Sequence, residues 1–81
     1  MKVYTVFTPG PIRRIEAATL AEAKTKAEVG FGVAMGRRGY THGWTAGANG
    51  THTFQVLDTK GRVSTGCVLV LGDRRPGQKG N

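Results

Sequence analysis

Residues 39–57 constrain the fold more than any other part of this 81-residue chain, and they read GYTHGWTAGANGTHTFQVL. Asn49 and Gly50 suit the two central positions of a type I′ turn, where both residues need a positive φ. Residues of alternating character run outward on both sides of this dipeptide, as they do in a β-hairpin. We therefore predict two antiparallel strands joined at Asn49-Gly50.

The loop length of this hairpin decides which side chains face the core. If Asn49 and Gly50 are the only loop residues, Ala48 opposes Thr51, and Phe54 lies on the face that packs against a helix. The other, open face then carries an aromatic row that is free to bind a partner: Tyr40, His42 and Trp44, beside Gln55 and Arg62. The alternative is a register shifted by one residue, or a bulge near Gly43 or Gly47, which would place Trp44 in the core.

The chain before the hairpin predicts two short strands and one helix. Residues 2–8 mix β-branched and aromatic types and are stopped by a Pro-Gly-Pro sequence, and residues 12–17 read as a second strand. Thr19 and Glu22 have the spacing of a capping box, which marks the start of a helix. We predict this helix over residues 20–29, with Leu20, Ala23, Ala27 and Phe31 on one stripe, and leave open a helix that reaches Met35.

The chain after the hairpin predicts a type I turn at residues 58–61 and a last strand at residues 62–71. This strand ends in the apolar run CVLVL, which is typical of a strand at a sheet centre or covered on both faces. The whole pattern predicts an α+β fold in which one α-helix packs on an antiparallel sheet of four to five strands, in the order β(β)αβββ. Residues 1–71 would form a single domain and residues 72–81 a flexible basic tail.

Charge and cysteine content narrow the functional classes. The formal net charge is +7, which favours polyanions or acidic protein surfaces as partners, although it also serves solubility. The single cysteine, Cys67, excludes an internal disulfide and fits a reducing cytosol, of a cell or of an infected host. Neither a signal peptide nor an apolar run of roughly 20 residues is present, so we expect no membrane association.

Three arginine pairs are the most distinctive chemical feature of the sequence. Guanidinium groups bind phosphates in a bidentate manner and stack on aromatic rings. Beside Tyr40 and Trp44, such pairs suit single-stranded nucleic acid or an acidic protein surface; as surface charges they can also be merely solvated. The pairs are Arg13-Arg14, Arg37-Arg38 and Arg74-Arg75.

No catalytic or metal-binding pattern emerges from the remaining residues. In the predicted register His42 and His52 lie on different faces of the hairpin, so they cannot share a metal ion. Cys67 lies in an apolar run, where a buried, inert thiol is the common outcome. The glycine-rich segment GFGVAMG follows a helix rather than a strand, which argues against a phosphate-binding loop. We predict a protein that is not an enzyme and needs no cofactor.

Residues 15–27, IEAATLAEAKTKA, followed by the glycine-rich hairpin and the last strand, resemble small phage-encoded anti-CRISPR proteins that inhibit type I systems. The resemblance covers about two thirds of the chain. It implies one helix on an antiparallel sheet and binding to the RNA-guided surveillance complex, which blocks access to target DNA. Some members also touch DNA through basic residues. No binding motif of the family transfers residue by residue, so the resemblance carries a role and not a site.

These observations together predict a non-enzymatic inhibitor in the host cytosol, a monomer or weak dimer that binds a subunit of a CRISPR surveillance complex. The alternative is a small basic nucleic-acid-binding module that contacts phosphates and bases directly. In either case the predicted partner-binding residues are the same: Arg13, Arg14, Arg37, Arg38, Tyr40, His42, Trp44 and Arg62.

Overall fold

The computed structural model describes residues 1–72, which form an α+β fold with one helix packed on a five-stranded antiparallel sheet. The predicted α+β class is thus confirmed, whereas Arg74-Arg75 and the rest of the predicted tail from residue 73 onward lie outside the described residues. The elements are β1 (Lys2–Phe7), β2 (Arg13–Ala17), α1 (Leu20–Glu28), β3 (Thr41–Ala46), β4 (His52–Leu57) and β5 (Val63–Leu71). Two helical turns, Val29–Phe31 and Gly32–Met35, follow α1.

The strands lie in the order β2-β1-β5-β4-β3, and every neighbouring pair is antiparallel. The strand β5 is at the centre, between β1 and β4, which accounts for the apolar run at its end. Leu69 is completely buried and Val70 is nearly so, although these two residues point to opposite faces of the sheet. The free edges of the sheet are β2 and β3.

The helix begins at the predicted cap. The Thr19 hydroxyl accepts a hydrogen bond from the Glu22 N–H at 3.2 Å, and the Glu22 carboxylate pairs with Lys26 at 3.2 Å. Ala23 and Ala27 are fully buried against the sheet, because their small side chains let the helix axis approach closely. The helix proper ends at Glu28, and the chain continues through the two helical turns as far as Met35.

The core lies between α1 and one face of the sheet, which we call the helix-side face. Phe54 and Val56 from β4 are fully buried there, as predicted. The ring of Phe31, on the first helical turn after α1, lies 5.5 Å from that of Phe54 and closes the core beyond the end of the helix. The other buried hydrophobic residues of this cluster are Tyr4, Val6, Ala17, Ala23, Ala27, Cys67 and Leu69.

The central hairpin has the predicted turn but not the predicted register. Asn49 (φ 58°, ψ 34°) and Gly50 (φ 72°) both have positive φ, and the Thr51 N–H donates to the Ala48 carbonyl at 3.2 Å. The Gly47 N–H donates to the Thr51 carbonyl at 2.9 Å, so Gly47 and Ala48 both oppose Thr51. This extra residue is a β-bulge, and it shifts every following pair by one position.

The shifted register reverses the predicted placement of the aromatic row. Trp44 pairs with Phe54 and His42 pairs with Val56, so both side chains lie on the helix-side face and not on the open face. Tyr40, just before β3, is partly buried and packs against the core. The prediction of an exposed aromatic row on the open face is therefore wrong, and the alternative with a bulge near Gly47 describes the protein.

The second hairpin continues the helix-side face onto β5. The predicted turn at residues 58–61 is present, with a 3.0 Å hydrogen bond from the Gly61 N–H to the Asp58 carbonyl and a positive φ at Gly61. Phe54 pairs with Cys67, whereas a four-residue loop with a regular ladder would pair it with Thr65. Two irregularities, at the turn and between Val56 and Leu57, each add one residue, and an even shift leaves the same side chains facing the core. Leu71, at the end of the strand, is 58% exposed.

Candidate binding surface at one end of the sheet

Three of the five arginines of residues 1–72 lie at one end of the strands β3, β4 and β5. At this end β4 finishes and β3 and β5 begin, because neighbouring strands are antiparallel. The arginines come from the segments that precede β3 and β5, and Lys60 lies on the turn between β4 and β5. We call this group the basic end: Arg37, Arg38, Lys60 and Arg62.

The basic end does not include Arg13 and Arg14, which lie on the edge strand β2. Arg13 pairs with Val6, which is in the same row as Leu69, His52 and Ala46, so Arg13 is level with the tip of the β3–β4 hairpin. Along β5, six residues or ~20 Å separate this row from Val63, where the basic end begins. The two turns of the basic end are in contact, since a Cβ at Gly39 would lie 2.8 Å from Thr59 Cγ2. Its four cations therefore form one group, and Arg13 and Arg14 form a second group on the opposite edge strand.

Asp58 is the one acidic residue on the described turns of this end, and its carboxylate is already engaged. One oxygen, Oδ1, accepts from the backbone N–H groups of Lys60 at 2.8 Å and Arg62 at 3.0 Å. The other, Oδ2, accepts from Arg62 Nε at 3.2 Å. The backbone bonds from Arg62 and Lys60 lower the pKa of Asp58 below its ordinary 3.8. Arg62 thus helps to hold its turn, while Arg37, Arg38 and Lys60 have no acidic neighbour on these turns.

The structure brings together Arg37, Arg38 and Tyr40, as the sequence predicted. The Arg37 guanidinium lies 5.6 Å from the centre of the Tyr40 ring, within the range of a cation–π interaction. The Tyr40 N–H donates to the Arg37 carbonyl at 3.1 Å, which closes a turn. Arg37 and Arg38 are exposed, so their guanidinium groups are accessible to an anionic partner.

Arg13 and Arg14 point to opposite faces of β2. Arg14 is exposed on the open face, opposite Thr5 of β1. Arg13 lies on the helix-side face and is half-buried, with its Nη2 donating to the Ala27 carbonyl near the end of α1 at 3.4 Å. Beside Arg13 a cleft of about 440 Å³ opens, lined by Thr8, Pro9, Gly10, Pro11, Arg13, Gly30, Phe31 and Thr65.

Trp44 is partly buried and makes three side-chain contacts, so it is not an exposed platform for base stacking. Its ring centre lies 5.2 Å from that of Phe54, and its Nε1 donates to Glu28 Oε2 at 2.7 Å. Lys24 Nζ lies 5.6 Å from the indole centre. His42 has an exposed side chain whose ring is 6.0 Å from Phe54. Of the predicted aromatic contacts, only Tyr40 therefore lies next to arginines of the basic end.

The two histidines lie on the same face of the hairpin, so the prediction that they lie on different faces is wrong. His42 and His52 share the helix-side face, because His42 pairs with Val56 and His52 with Ala46. They are separated by four residues along the hairpin, or ~13 Å. Residues 1–72 contain no group of three or more His, Cys, Asp or Glu side chains that could hold a metal ion. His52 Nδ1 is buried without a hydrogen-bond partner among the described residues.

The Cys67 thiol is buried, as predicted. Desolvation raises its pKa to about 11, against a smaller opposing effect of Arg13 and a further increase from Glu28. At neutral pH this thiol is protonated, and a protonated thiol is a poor nucleophile. Burial also separates it from solvent, because only 5% of its surface is exposed.

Sequence reasoning missed Lys60 and the cleft beside Arg13. Lys60 could have been found, since it lies in the predicted turn at residues 58–61 next to Arg62. The cleft could not, because its walls come from the β1–β2 loop, the segment after α1 and β5. These segments meet only through the pairing of β1 with β5, which no local pattern indicates.

Comparison with known proteins finds no matching family model, curated protein or solved structure. Among residues 1–72, no helix has the length and apolar character needed to cross a membrane.

Proposed function

We propose that this chain is a non-enzymatic binding protein whose basic end engages a polyanionic surface. The observation that carries the proposal is the placement of Arg37, Arg38, Lys60 and Arg62 on two adjoining turns at one end of the sheet, where Asp58 is the one acidic residue on the described turns. Such an arrangement attracts anionic partners and orients them toward one end of the molecule.

The resemblance of the sequence to type I anti-CRISPR proteins points to a specific target, the RNA-guided surveillance complex in the host cytosol. The DNA-binding surface of such a complex is itself positively charged, because it must neutralise phosphates, and it would repel the basic end. The basic end instead suits exposed guide RNA or an acidic subunit beside the DNA path. A protein bound there blocks target DNA sterically. Arg37, Arg38 and Tyr40 are the central contacts, and Arg13 and Arg14 support them as a separate group on the opposite edge strand.

A second candidate function is direct binding of nucleic acid. The four cations of the basic end can neutralise the phosphates of a backbone segment laid across the two adjoining turns. Trp44 is engaged by Phe54, Glu28 and Lys24, so base stacking would depend on Tyr40. This candidate thus predicts binding through phosphates, with little dependence on base sequence.

The test is a pair of charge-reversal variants at opposite ends of the sheet. Arg38→Glu alters the basic end, and Lys2→Glu alters an exposed residue at the other end. Each lowers the net charge by two units, so a difference between them reports position and not total charge. Binding to a purified type I surveillance complex and inhibition of target DNA binding are measured. We expect Arg38→Glu to weaken binding by about tenfold or more and Lys2→Glu to leave it nearly unchanged.

Equal effects of the two variants would contradict a site at the basic end. So would a folded Arg37→Glu, Arg38→Glu double variant that binds and inhibits like the parent protein. Salt dependence separates the two candidates: a direct binder making about four phosphate contacts loses roughly 100-fold in affinity for naked duplex DNA between about 50 and 200 mM salt. An inhibitor of the complex binds naked DNA or RNA weakly and still co-purifies with the complex at moderate salt.

A further inference from the structure

The outer edge of β3 carries main-chain groups with no partner among residues 1–72. The Gly47 N–H bonds to Thr51 in β-ladder fashion, and hydrogen-bonded and non-hydrogen-bonded pairs alternate along an antiparallel ladder. Thr45, Gly43 and Thr41 therefore bond to β4, whereas the N–H and C=O groups of the intervening residues point away from the sheet. These outward residues are His42, Trp44 and Ala46.

The two edges of the sheet differ in their protection against strand pairing. The edge strand β2 carries three charged side chains, and Lys26 Nζ donates to the Glu16 carbonyl at 2.6 Å, which occupies a main-chain acceptor. The edge strand β3, THGWTA, contains no Lys, Arg, Asp, Glu or Pro. Charged residues, prolines and covering side chains are the usual means of blocking an edge. Only β2 has such protection.

We propose that β3 pairs with β3 of a second copy of this chain, in antiparallel orientation about a two-fold axis at Trp44. In this register Trp44 opposes Trp44 of the second copy, and His42 opposes Ala46 of the second copy. All three outward residues of each strand then exchange hydrogen bonds, about six in total. The two five-stranded sheets become one continuous sheet of ten strands, joined by an isologous interface.

The distribution of charge favours this orientation over a parallel one. In the antiparallel pair, Arg37 and Arg38 of each copy lie beside the hairpin tip of the other, and the tip residues 47–51 carry no charge. A parallel pair would bring the two basic ends together. Lys24 and Glu28 are the charged residues that contact Trp44. Because their charges are opposite, the helix-side face of the β3–β3 interface has no net charge around Trp44.

Trp44 makes this pairing directly observable. The indole is partly exposed in the single chain and lies at the two-fold axis of the dimer, where the second copy covers its outer side. Trp44 is also the only tryptophan, so its emission reports on the interface without background. The dimer places its two basic ends at opposite poles, a consequence that is independent of which polyanion they bind.

The experiment measures mass by sedimentation equilibrium and Trp44 emission over concentrations from low micromolar to millimolar. We expect the parent protein to convert from monomer to dimer, with a blue shift of the emission along the same curve. His42→Pro removes an outward N–H and no bond to β4, so it should weaken dimerisation by at least about tenfold. The matched control, His42→Ala, keeps the N–H and should dimerise like the parent protein.

A second variant tests the β3–β3 interface without a proline, which could itself disturb folding. Gly43→Lys with Thr45→Lys places exposed lysines on the open face, where Gly43 opposes Thr45 of the second copy. A Cβ at Gly43 meets no atom within 4 Å, so we expect this variant to fold and to remain monomeric. A parent protein that stays monomeric over the whole range, or lysine and proline variants that dimerise as the parent does, would overturn the proposal.

Discussion

The indole N–H of Trp44 on the edge strand β3 donates a 2.7 Å hydrogen bond to the carboxylate of Glu28, the last residue of α1. Together with the Phe54 ring on the other side, this bond ties the edge of the sheet to the helix. A hydrogen bond to an ionised acceptor is stronger than a neutral one. The contact therefore fixes the orientation of the indole.

We expect Glu28→Ala to lower the free energy of unfolding by about 1–3 kcal/mol, because it leaves the indole N–H without its acceptor. Glu28→Gln retains an acceptor oxygen and should lose less. Chemical denaturation measures both, and quenching of Trp44 fluorescence by acrylamide shows whether the indole becomes more accessible. An Ala variant as stable and as shielded as the parent protein would show that the bond contributes nothing.

Two strand glycines form a matched pair for testing backbone packing. A Cβ at Gly66 on β5 would lie 2.1 Å from the Phe54 carbonyl oxygen, whereas a Cβ at Gly43 on β3 meets no atom within 4 Å. Gly66→Ala should therefore destabilise the protein by about 3 kcal/mol or more, since the clash is with backbone. Gly43→Ala should be neutral or stabilise by up to about 0.5 kcal/mol, because alanine restricts the unfolded chain. Thermal unfolding of both variants decides this, and equal effects would contradict the close approach at Gly66.

The buried thiol of Cys67 predicts a loss of stability in alkaline solution. Its pKa is raised from 9.0 to about 11 in the folded state, so between these values the unfolded chain has released its proton while the folded chain retains it. Stability therefore falls as the pH rises from about 9 to 11. Cys67→Ala should show a shallower fall over this range in denaturant titrations. Equal slopes in the two proteins would show that groups other than Cys67 cause the loss of stability.

The Asp58 carboxylate predicts the opposite behaviour in acid. Its pKa is lowered in the folded state by the hydrogen bonds from Arg62 and Lys60, so its contribution is present above pH 3.8 and is lost as the pH falls through the folded-state value. Asp58→Asn should be less stable than the parent protein at neutral pH and should show less loss on acidification below pH 4. Unfolding midpoints measured at a series of acidic pH values test this, and parallel curves for the two proteins would refute it.

Local signals were sufficient to predict the elements of this fold. Thr19 marks the start of α1 because its hydroxyl accepts a hydrogen bond from the Glu22 N–H, which has no partner within the helix. Asn49-Gly50 predicts its turn because few other pairs adopt positive φ at both positions. The register failed at Gly47, since a glycine before a turn is compatible with a regular strand and with a bulge. A Cβ at Gly47 would lie 2.7 Å from Thr51 Oγ1, a crowding that only the folded hairpin reveals.

The candidate site was predictable in its parts and not in its geometry. The arginine pairs are visible in the sequence, but the ~20 Å along the strands that separates Arg13 from the basic end depends on how β5 pairs with β1 and with β4. The pairing of β1 with β5 joins residues almost a whole domain apart, and no periodicity indicates it. Trp44 was assigned to the wrong face because of a single inserted residue, since a shift by one position exchanges the two faces of a strand.

The central position of β5 also determines when the protein can fold. Thr5 donates a hydrogen bond to the Gly72 carbonyl, across 67 residues of sequence, and β1 lies beside a strand that leaves the ribosome after all the other strands. Until β5 has been synthesised, no strand connects the β1–β2 hairpin to the β3–β4 hairpin. Contacts of such long sequence separation slow folding, so we expect the sheet to close only after translation has passed residue 71.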